Sequence, residues 1–306
     1  MAATAQSRVF FGVIASIAIL GGAACSGSNP MSSAIPPFES AQSGKAGHKM
    51  HRLSVSGVVI DPSQIGPVVT TAVLGADMDV WFDITQPGLA ASFKQAGMTT
   101  TRWPGGHGAD RYHWQTNRYG PGACATGFNV GKPNPKSTFD NFMRDVAMPA
   151  HLDVAVTVNY GSNATCTAGG DPNEAVAWVK YANATKHYNL TWWTVGNEQY
   201  SPDSMDLRSS PHDPTQYAQI MTADYYQQMK AASPIPINVC VDGSIGNKIW
   251  SAGVFALAQF DCVELHYYPQ KGTSVNDTFL LTNAVRGVTS SIKLVEGELA
   301  AAGHAG

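Results

Sequence analysis

The sequence predicts an α/β fold, an incomplete (β/α)8 TIM barrel of about six β/α units with a short N-terminal accessory strand. From residue 68 onward, short apolar runs rich in Val, Thr, Trp and Ile alternate with segments of helical periodicity. The runs are continuously apolar, which is typical of parallel strands that are covered on both faces. Such alternation favours a parallel sheet with helices outside it, and eight units close a barrel of about 250 residues.

Six apolar runs are predicted to form the strands of this sheet. They cover residues 68–74, 98–103, 152–159, 191–196, 235–241 and 260–267. The run at 55–60 comes before the first unit and is predicted to be the accessory strand. A seventh barrel strand is due directly after Gly303, but the sequence ends at Gly306. We therefore expect an incomplete barrel, with the chain a fragment or the product of a gene cut short.

Helix start signals lie between the strands. Asp-Pro-Asn-Glu at 171–174 offers an N-cap, a proline in the first turn and a capping-box glutamate. Asp-Pro at 213–214 repeats the signal. A last helix is predicted over 277–302, and Gly303 ends it. Its inner face is predicted to consist of Leu281, Val285, Val288, Ile292, Val295 and Leu299.

The N-terminal residues are typical of an exported protein. Arg8 precedes an apolar stretch at 9–20, and small residues then lead to Cys25. We predict a signal peptide over 1–25, a flexible linker rich in Ser, Gly, Ala and Pro over 26–51, and a partial barrel domain over 52–306. Two interpretations of Cys25 stay open: lipid attachment, which would tie the protein to a membrane, or an incidental cysteine beside a plain cleaved signal. The expected location is periplasmic, cell-surface or extracellular.

Composition and missing motifs exclude several function classes. The formal net charge is −3 and only 13% of residues are charged, so the chain lacks the basic field expected of a nucleic-acid-binding protein. The sequence has no His-Glu-x-x-His zinc motif, no Gly-x-Ser-x-Gly elbow and no phosphate-binding loop with Lys-Ser/Thr. No metal and no cofactor are therefore predicted.

Four cysteines follow Cys25, and four cysteines allow three pairings. Export permits disulfides. Cys124 and Cys166 both lie in glycine-rich loops, so we favour that pair. Cys240 and Cys262 lie in strand-like runs, where buried free thiols are at least as good an interpretation.

The main chemical signal is the apolar run at 192–196, which ends in Asn197 and Glu198. The carboxyl ends of the strands form the catalytic rim of a barrel. A carboxyl group there is partly desolvated, which is expected to raise its pKa and suit it to general acid catalysis. Asn197 is positioned to hydrogen-bond a substrate hydroxyl. The alternative is a loop that merely caps the strand.

Other strand ends supply further candidates. Arg102 can orient a carboxylate with paired N–H donors, or form a structural ion pair. Trp103 beside it is a candidate for stacking on a sugar, or for core packing. Asn159 after the third strand, and Asp77 and Asp79 after the first, are candidates for binding sugar hydroxyls, although loop capping is the better interpretation of the two aspartates.

The sixth strand places Glu264, His266 and Tyr268 on one face. If that face is the barrel interior, His266 and Tyr268 reach the rim and the tyrosine hydroxyl can contact a catalytic carboxylate. A core histidine with aromatic packing is the alternative.

The ordered set of these motifs resembles the retaining glycoside hydrolases of clan A, most closely the family 51 α-L-arabinofuranosidases, over residues 68–306. The set consists of Arg-Trp-Pro-Gly-Gly at 102–106, Asn-Tyr-Gly at 159–161 with the helix start at 171, Gly-Asn-Glu at 196–198 and Leu-His-Tyr-Tyr at 265–268. The resemblance implies Glu198 as the acid/base with Asn197 next to it. Arg102, His266 and Tyr268 would support the site of the nucleophile.

The resemblance also implies a nucleophilic glutamate at the end of strand seven, which is expected beyond Gly306. A retaining mechanism needs two carboxyl groups about 5–5.5 Å apart. Glu296 and Glu298 fit the periodic pattern of the last helix and are expected to be solvated. Glu264 lies two residues, or roughly 6–7 Å, deeper than His266, which is too deep for the second carboxyl group.

The function implied is hydrolysis of O-glycosidic bonds in plant-type polysaccharides or oligosaccharides by a retaining, α-L-arabinofuranosidase-like enzyme. β-Glucuronidase, β-xylosidase and endoglucanase activities of the same clan are alternatives. An alternative of another class is a non-catalytic, surface-attached carbohydrate-binding protein that keeps the rim but not the carboxylate pair.

Overall fold

The computed structural model describes residues 74–127, 130–269 and 277–304. The predicted signal peptide, the lipidation site at Cys25, the linker and the accessory strand at 55–60 lie outside the described residues and stay predictions. None of the helices described is both long enough and apolar enough to cross a membrane.

Six parallel strands form the main sheet, and they confirm the predicted incomplete (β/α)8 barrel. Their order is the order of the chain, β1-β2-β5-β6-β7-β8, so each neighbour is reached by a crossover that carries helix. The strands are β1 (Gly75–Asp77), β2 (Thr100–Trp103), β5 (Asp153–Val158), β6 (Trp192–Val195), β7 (Asn238–Gly243) and β8 (Cys262–Leu265). A hairpin of β3 (Tyr112–His113) and β4 (Arg118–Tyr119) is inserted after β2 and was not predicted.

Within the described residues, the first strand is β1, which begins at Gly75. The ladder with β2 begins where Gly75 pairs with Thr100 and ends where Asp77 pairs with Arg102. Of the predicted run at 68–74, only Leu74 is described, and it lies outside the ladder. A Cβ atom on Gly75 would overlap with the Thr100 hydroxyl and lie only 2.7 Å from the Thr100 carbonyl oxygen, so only glycine fits this approach.

Helices cover the sheet between the strands. They are α1 (Leu89–Gln95), α2 (Phe139–Phe142), α3 (Met148–Ala150), α4 (Pro172–Lys180), α5 (Pro214–Ile220), α6 (Gln227–Ala232), α7 (Lys248–Leu257) and α8 (Asp277–Ala301). Wider π-helical turns at Met143–Ala147, Tyr181–Thr185 and Met221–Tyr226 follow α2, α4 and α5, and short 3-10 turns lie at Ala109–Arg111 and Gly122–Ala125.

The predicted helix starts are present, with one correction. The Asp171 carboxylate accepts a hydrogen bond from the Asn173 N–H at 2.9 Å, and Asp213 caps α5 in the same way. Glu174 does not close a capping box. Its carboxylate lies 2.8 Å from the His113 ring instead, because the inserted hairpin brings a better partner.

The last helix extends over nearly the predicted residues and packs against α7. Val295 and Leu299 of its predicted inner face are buried, whereas Val288 and Ile292 are only partly covered. Glu296 is exposed, as expected for a solvated helix residue. The same expectation is wrong for Glu298, which is partly buried with its Oε2 atom inaccessible to solvent.

Two disulfides link the chain. Cys124 pairs with Cys166, the pair that the sequence favours, and joins two loops at a Cα–Cα distance of 5.9 Å. Cys240 pairs with Cys262, its register partner across β7 and β8. The interpretation of these last two as free thiols is therefore wrong, because two strand positions that were separate in sequence are opposite one another in the sheet.

Removing the Cys124–Cys166 bridge by double substitution to alanine is expected to lower the free energy of unfolding by about 2–4 kcal/mol. The bridge spans 42 residues, and a closed loop of that size restricts the unfolded chain substantially. Guanidinium chloride unfolding of the oxidised protein measures the change. Reduction of the wild type should reproduce at least this loss, and an unchanged midpoint in the double variant would contradict the prediction.

Candidate active site

The predicted site residues come from different strands and meet at one edge of the sheet, the edge of the strand carboxyl ends. Those at or just after strand ends are Asp77, Arg102, Trp103, Asn159, Asn197, Glu198, Glu264, His266 and Tyr268. In a (β/α)8 architecture this edge carries the active site. Their contacts separate them into side chains that surround Glu198 or belong to its ionic cluster and side chains that are used in packing or in holding loops together.

Arg102 is the centre of a buried ionic cluster. Its Nη2 donates to Glu264 Oε1 at 2.7 Å and to Asn197 Oδ1 at 2.9 Å, and its Nε donates to the Thr157 hydroxyl at 3.0 Å. Asp77 lies 3.7 Å from its Nη1. The side chain is only 2% exposed, and this shell of acceptors compensates its charge. The guanidinium thereby fixes the side chain of Asn197, the residue next to Glu198.

His266 lies between two carboxylates. Its Nδ1 is 2.7 Å from Glu198 Oε1 and its Nε2 is 2.8 Å from Glu264 Oε1. Burial lowers the pKa of His266, but the hydrogen bonds to both carboxylates outweigh burial and raise the pKa to about 10. The ring is therefore an imidazolium at neutral pH and donates to both glutamates.

Glu198 has a depressed pKa, so the prediction of a raised pKa is wrong. Burial acts to raise it, but the hydrogen bond and charge of His266, with contributions from His107 and Tyr268, lower the pKa to about 2. The Tyr268 hydroxyl donates to Glu198 Oε1 at 3.0 Å, and His107 Nε2 lies 3.4 Å from Oε2. Donors contributed by distant segments thus outweigh the local effect of burial.

Glu264 is held behind His266. The Thr194 hydroxyl donates to its Oε2 at 2.6 Å, while Arg102 and His266 occupy Oε1. Burial acts to raise its pKa, but the charge of Arg102 and the hydrogen bond from His266 lower it to about 2. Because the imidazole ring separates Glu264 from Glu198, Glu264 serves as a counterion within the cluster.

A tight turn after β6 presents Glu198. Gly196 has φ of +80° and Glu198 itself has φ of +49°, a left-handed conformation that is uncommon for glutamate. The buried Asp110 carboxylate accepts hydrogen bonds from the Asn197 N–H at 3.0 Å and the Tyr160 N–H at 3.2 Å. Burial raises the pKa of Asp110 to about 7. Asp110, which lies outside β6, therefore stabilises the turn that carries Glu198.

Two predicted binding residues do not face the site. Trp103 is fully buried and stacks on Phe142 with ring centroids 4.3 Å apart, so it packs in the core and the prediction of sugar stacking is wrong. Asn159 is also buried. Its amide donates to the Tyr112 carbonyl and accepts from the Ser162 N–H, so it holds two loops together instead of presenting its amide to a ligand.

The two aspartates after the first strand do lie at the rim. Burial, as the largest influence, raises the pKa of Asp77 and brings that of Asp79 to about 7. Asp79 Oδ1 accepts from the Gly106 N–H at 3.3 Å, and a side chain on Gly105 (φ +109°) would overlap with it. The carboxyl group of Asp79 is thereby held over the Gly-Gly segment. This contact agrees with the interpretation of Asp79 as a loop-capping residue.

Sequence reasoning missed His107 and Asp110. His107 follows the Gly-Gly segment directly and Asp110 comes three residues later. Neither carries a spacing signal of its own, so only their proximity to Glu198 and Asn197 reveals them. Within the part of the chain that the structure describes, no group of three or more His, Cys, Asp or Glu side chains is placed to hold a metal ion.

The parallel sheet, an incomplete (β/α)8 barrel with buried carboxylates at its rim, is similar to known proteins at the level of solved structures. No protein-family model and no curated protein matches the chain. Among solved structures, an α-L-arabinofuranosidase from Thermotoga maritima in complex with arabinose matches with a TM-score of 0.56 and 20% identity, over 74% of this chain and 47% of that one.

Two further matches are family 51 α-L-arabinofuranosidases. AbfB from Bifidobacterium longum has a TM-score of 0.54 and 17% identity over 78% of this chain and 51% of its own. The enzyme from Xanthomonas axonopodis pv. citri has a TM-score of 0.52 and 18% identity over 79% and 55%. The chain therefore has the fold of the family 51 enzymes and spans about half the length of the structures it matches.

Proposed function

We propose that the protein acts on carbohydrate as a retaining, α-L-arabinofuranosidase-like glycoside hydrolase, with Glu198 as its acid/base. The observation that carries the proposal is the placement of Glu198. This side chain stands on a strained turn at the carboxyl end of β6, and its two oxygens face a tyrosine hydroxyl and two histidine rings. Such an arrangement suits a carboxyl group that transfers a proton.

In this reaction Glu198 protonates the glycosidic oxygen of the leaving group and then takes a proton from the attacking water. Asn197, fixed by Arg102, is available to hydrogen-bond a sugar hydroxyl beside it. The second carboxylate of the retaining mechanism belongs to strand seven in our proposal, which the reading frame beyond Gly306 would encode. The proposed substrates are plant-type arabinosides, because the structural neighbours are arabinofuranosidases and one holds arabinose.

Glu198→Gln is expected to lower kcat/KM for an arabinoside with a poor leaving group by about 10²–10⁴-fold, because the amide cannot donate a transferable proton. The loss should be much smaller for a dinitrophenyl arabinoside, whose leaving group departs without protonation. Azide should restore turnover in the variant and yield the glycosyl azide, since an anionic nucleophile needs no general base. The assay uses the protein expressed from its whole reading frame.

Glu296→Gln is the matched control, because this glutamate is exposed on the last helix. Equal activity of Glu198→Gln and wild type on both substrates would refute the proposed role. A wild type that binds arabino-oligosaccharides in calorimetry but hydrolyses none of them would support the carbohydrate-binding alternative instead.

A further inference from the structure

The two oxygens of Glu198 have different surroundings. Oε1 accepts hydrogen bonds from both His266 and Tyr268. Oε2 faces the imidazole of His107, whose Nε2 is 3.4 Å away. A proton for the leaving group is therefore best accommodated on Oε2, the oxygen that these two donors do not occupy.

We infer that His107 shares one labile proton with Glu198 Oε2 and is a positioning residue for the acid/base step. The inference rests on the proposed function of Glu198. The His107 side chain is only 14% exposed, so its ring is held against the carboxylate within the site. The 3.4 Å separation exceeds an ordinary hydrogen bond, and catalytic hydrogen bonds often tighten only when substrate is bound.

Ser204 determines which nitrogen of His107 carries the hydrogen. The Ser204 hydroxyl donates to the Asn197 carbonyl at 2.8 Å, and its oxygen lies 3.2 Å from His107 Nδ1. Because the single hydroxyl proton is used, the oxygen acts as an acceptor and Nδ1 is the donor. In the neutral ring, Nε2 then presents a lone pair to the carboxylate. The lone pair of His107 Nε2 and a lone pair of Glu198 Oε2 then face each other, and one proton between these two atoms stabilises the contact.

The charged groups around His107 set the pH range in which this proton is held. Burial has the largest influence and lowers the pKa of His107, and the cations Arg111 and His266 act in the same direction. The carboxylates of Glu198 and Asp203 oppose them, but the pKa stays below its ordinary value of 6.5. The carboxylate and the imidazole interact directly, so they titrate as a pair.

Every proton that moves in the reaction passes between the His107–Glu198 pair, the leaving group and the attacking water. In the first step the Oε2–H bond and the glycosidic C–O bond break, while an O–H bond forms on the leaving group and the second carboxylate of the proposed mechanism bonds to the sugar carbon. In the second step an O–H bond of water and the bond between sugar and carboxylate break, the water oxygen bonds to the sugar carbon, and the proton returns to Oε2. Between the steps the proton can lie on Glu198 Oε2 with His107 neutral, or on His107 Nε2 with Glu198 ionised. Exchange between these two states keeps the proton available.

His107→Asn is expected to shift the alkaline limb of the kcat/KM–pH profile to lower pH by about one unit or more, because Glu198 alone holds its proton only in stronger acid. His187→Asn, on an exposed loop residue with φ of +56°, is the control and should keep the wild-type limb. A purely structural role for His107 would scale the rate without moving the limb, and that result would overturn the inference.

A second measurement does not depend on activity. The pKa of the His107 imidazole, followed by NMR, should be lower by about 1 in Glu198→Gln than in wild type, because the facing charge is removed. Equal values in the two proteins would overturn the inference even if His107→Asn fails to fold. If Glu198→Gln hydrolyses as well as wild type, the proposed function fails. If it is inactive but the limb of His107→Asn stays in place, only the inference about His107 fails.

Discussion

Arg102→Met is expected to lower the free energy of unfolding by about 3–5 kcal/mol, because it removes the cation from a cluster of buried carboxylates. Glu264 would lose its 2.7 Å ion pair, and Asp77 and Asn197 would lose the same partner. Equilibrium urea unfolding at pH 7 measures the effect. The loss should be larger than at any single exposed charge of the protein.

Arg144→Met is the matched control. Arg144 is 65% exposed and pairs with the adjacent Asp145, so its removal should cost less than about 1 kcal/mol. Combining Arg102→Met with Glu264→Gln should recover part of the stability, because the glutamine removes the carboxylate that lies closest to the lost guanidinium. Equal losses for Arg102→Met and the control would show that the cluster is not held by charge.

His266→Gln is expected to have the second large effect, on stability and on the acidity of Glu198. Without the imidazolium, Glu198 loses the main influence that keeps its pKa near 2, and burial should then raise that pKa. Breaking a buried ionic contact costs about 3–5 kcal/mol. An NMR titration of the Glu198 carboxyl carbon, and thermal unfolding across pH, follow the two effects.

The sign of the pH dependence follows from the shifted groups. The folded-state pKa of His266 is raised from 6.5 to about 10, so its stabilisation is complete below pH 6.5 and disappears as pH rises towards 10. Glu198 and Glu264 have folded-state pKa values lowered from 4.5 to about 2, so their stabilisation is complete above 4.5 and disappears as pH falls towards 2. The difference in Tm between wild type and His266→Gln should therefore be largest between pH 4.5 and 6.5.

His187→Gln is the control for this series, because His187 is exposed. It should differ little from wild type at every pH. A constant Tm difference between wild type and His266→Gln from pH 5 to pH 10 would contradict an imidazolium between the glutamates and point to a neutral packing role.

The residues around Glu198 fall into those at strand ends, whose position the sequence could predict, and those in the segment after β2, whose position it could not. Arg102, Asn197, Glu198, His266 and Tyr268 each end an apolar run, and parallel strands bring their carboxyl ends to one edge, so their meeting could be predicted. His107 lies in a loop and Asp110 in the short 3-10 turn Ala109–Arg111, where neither periodicity nor spacing indicates the direction of a side chain. Trp103 has the right strand position but packs in the core, because its neighbour Phe142 comes from a helix that the sequence analysis did not place.

Hydrophobic periodicity and strand pleat are local properties, so the amino-acid sequence was enough to predict the order of the main parallel strands, the rim position of Glu198 and the alternation of Glu264, His266 and Tyr268. The charge state of the site depends on the tertiary structure. Burial of Glu198 is opposed by a histidine 68 residues away, and the pairing of Cys240 with Cys262 depends on strand register. The low pKa of Glu198 and the disulfide pairing both depend on residues that are distant in sequence and adjacent in the fold, so no local sequence pattern could predict them.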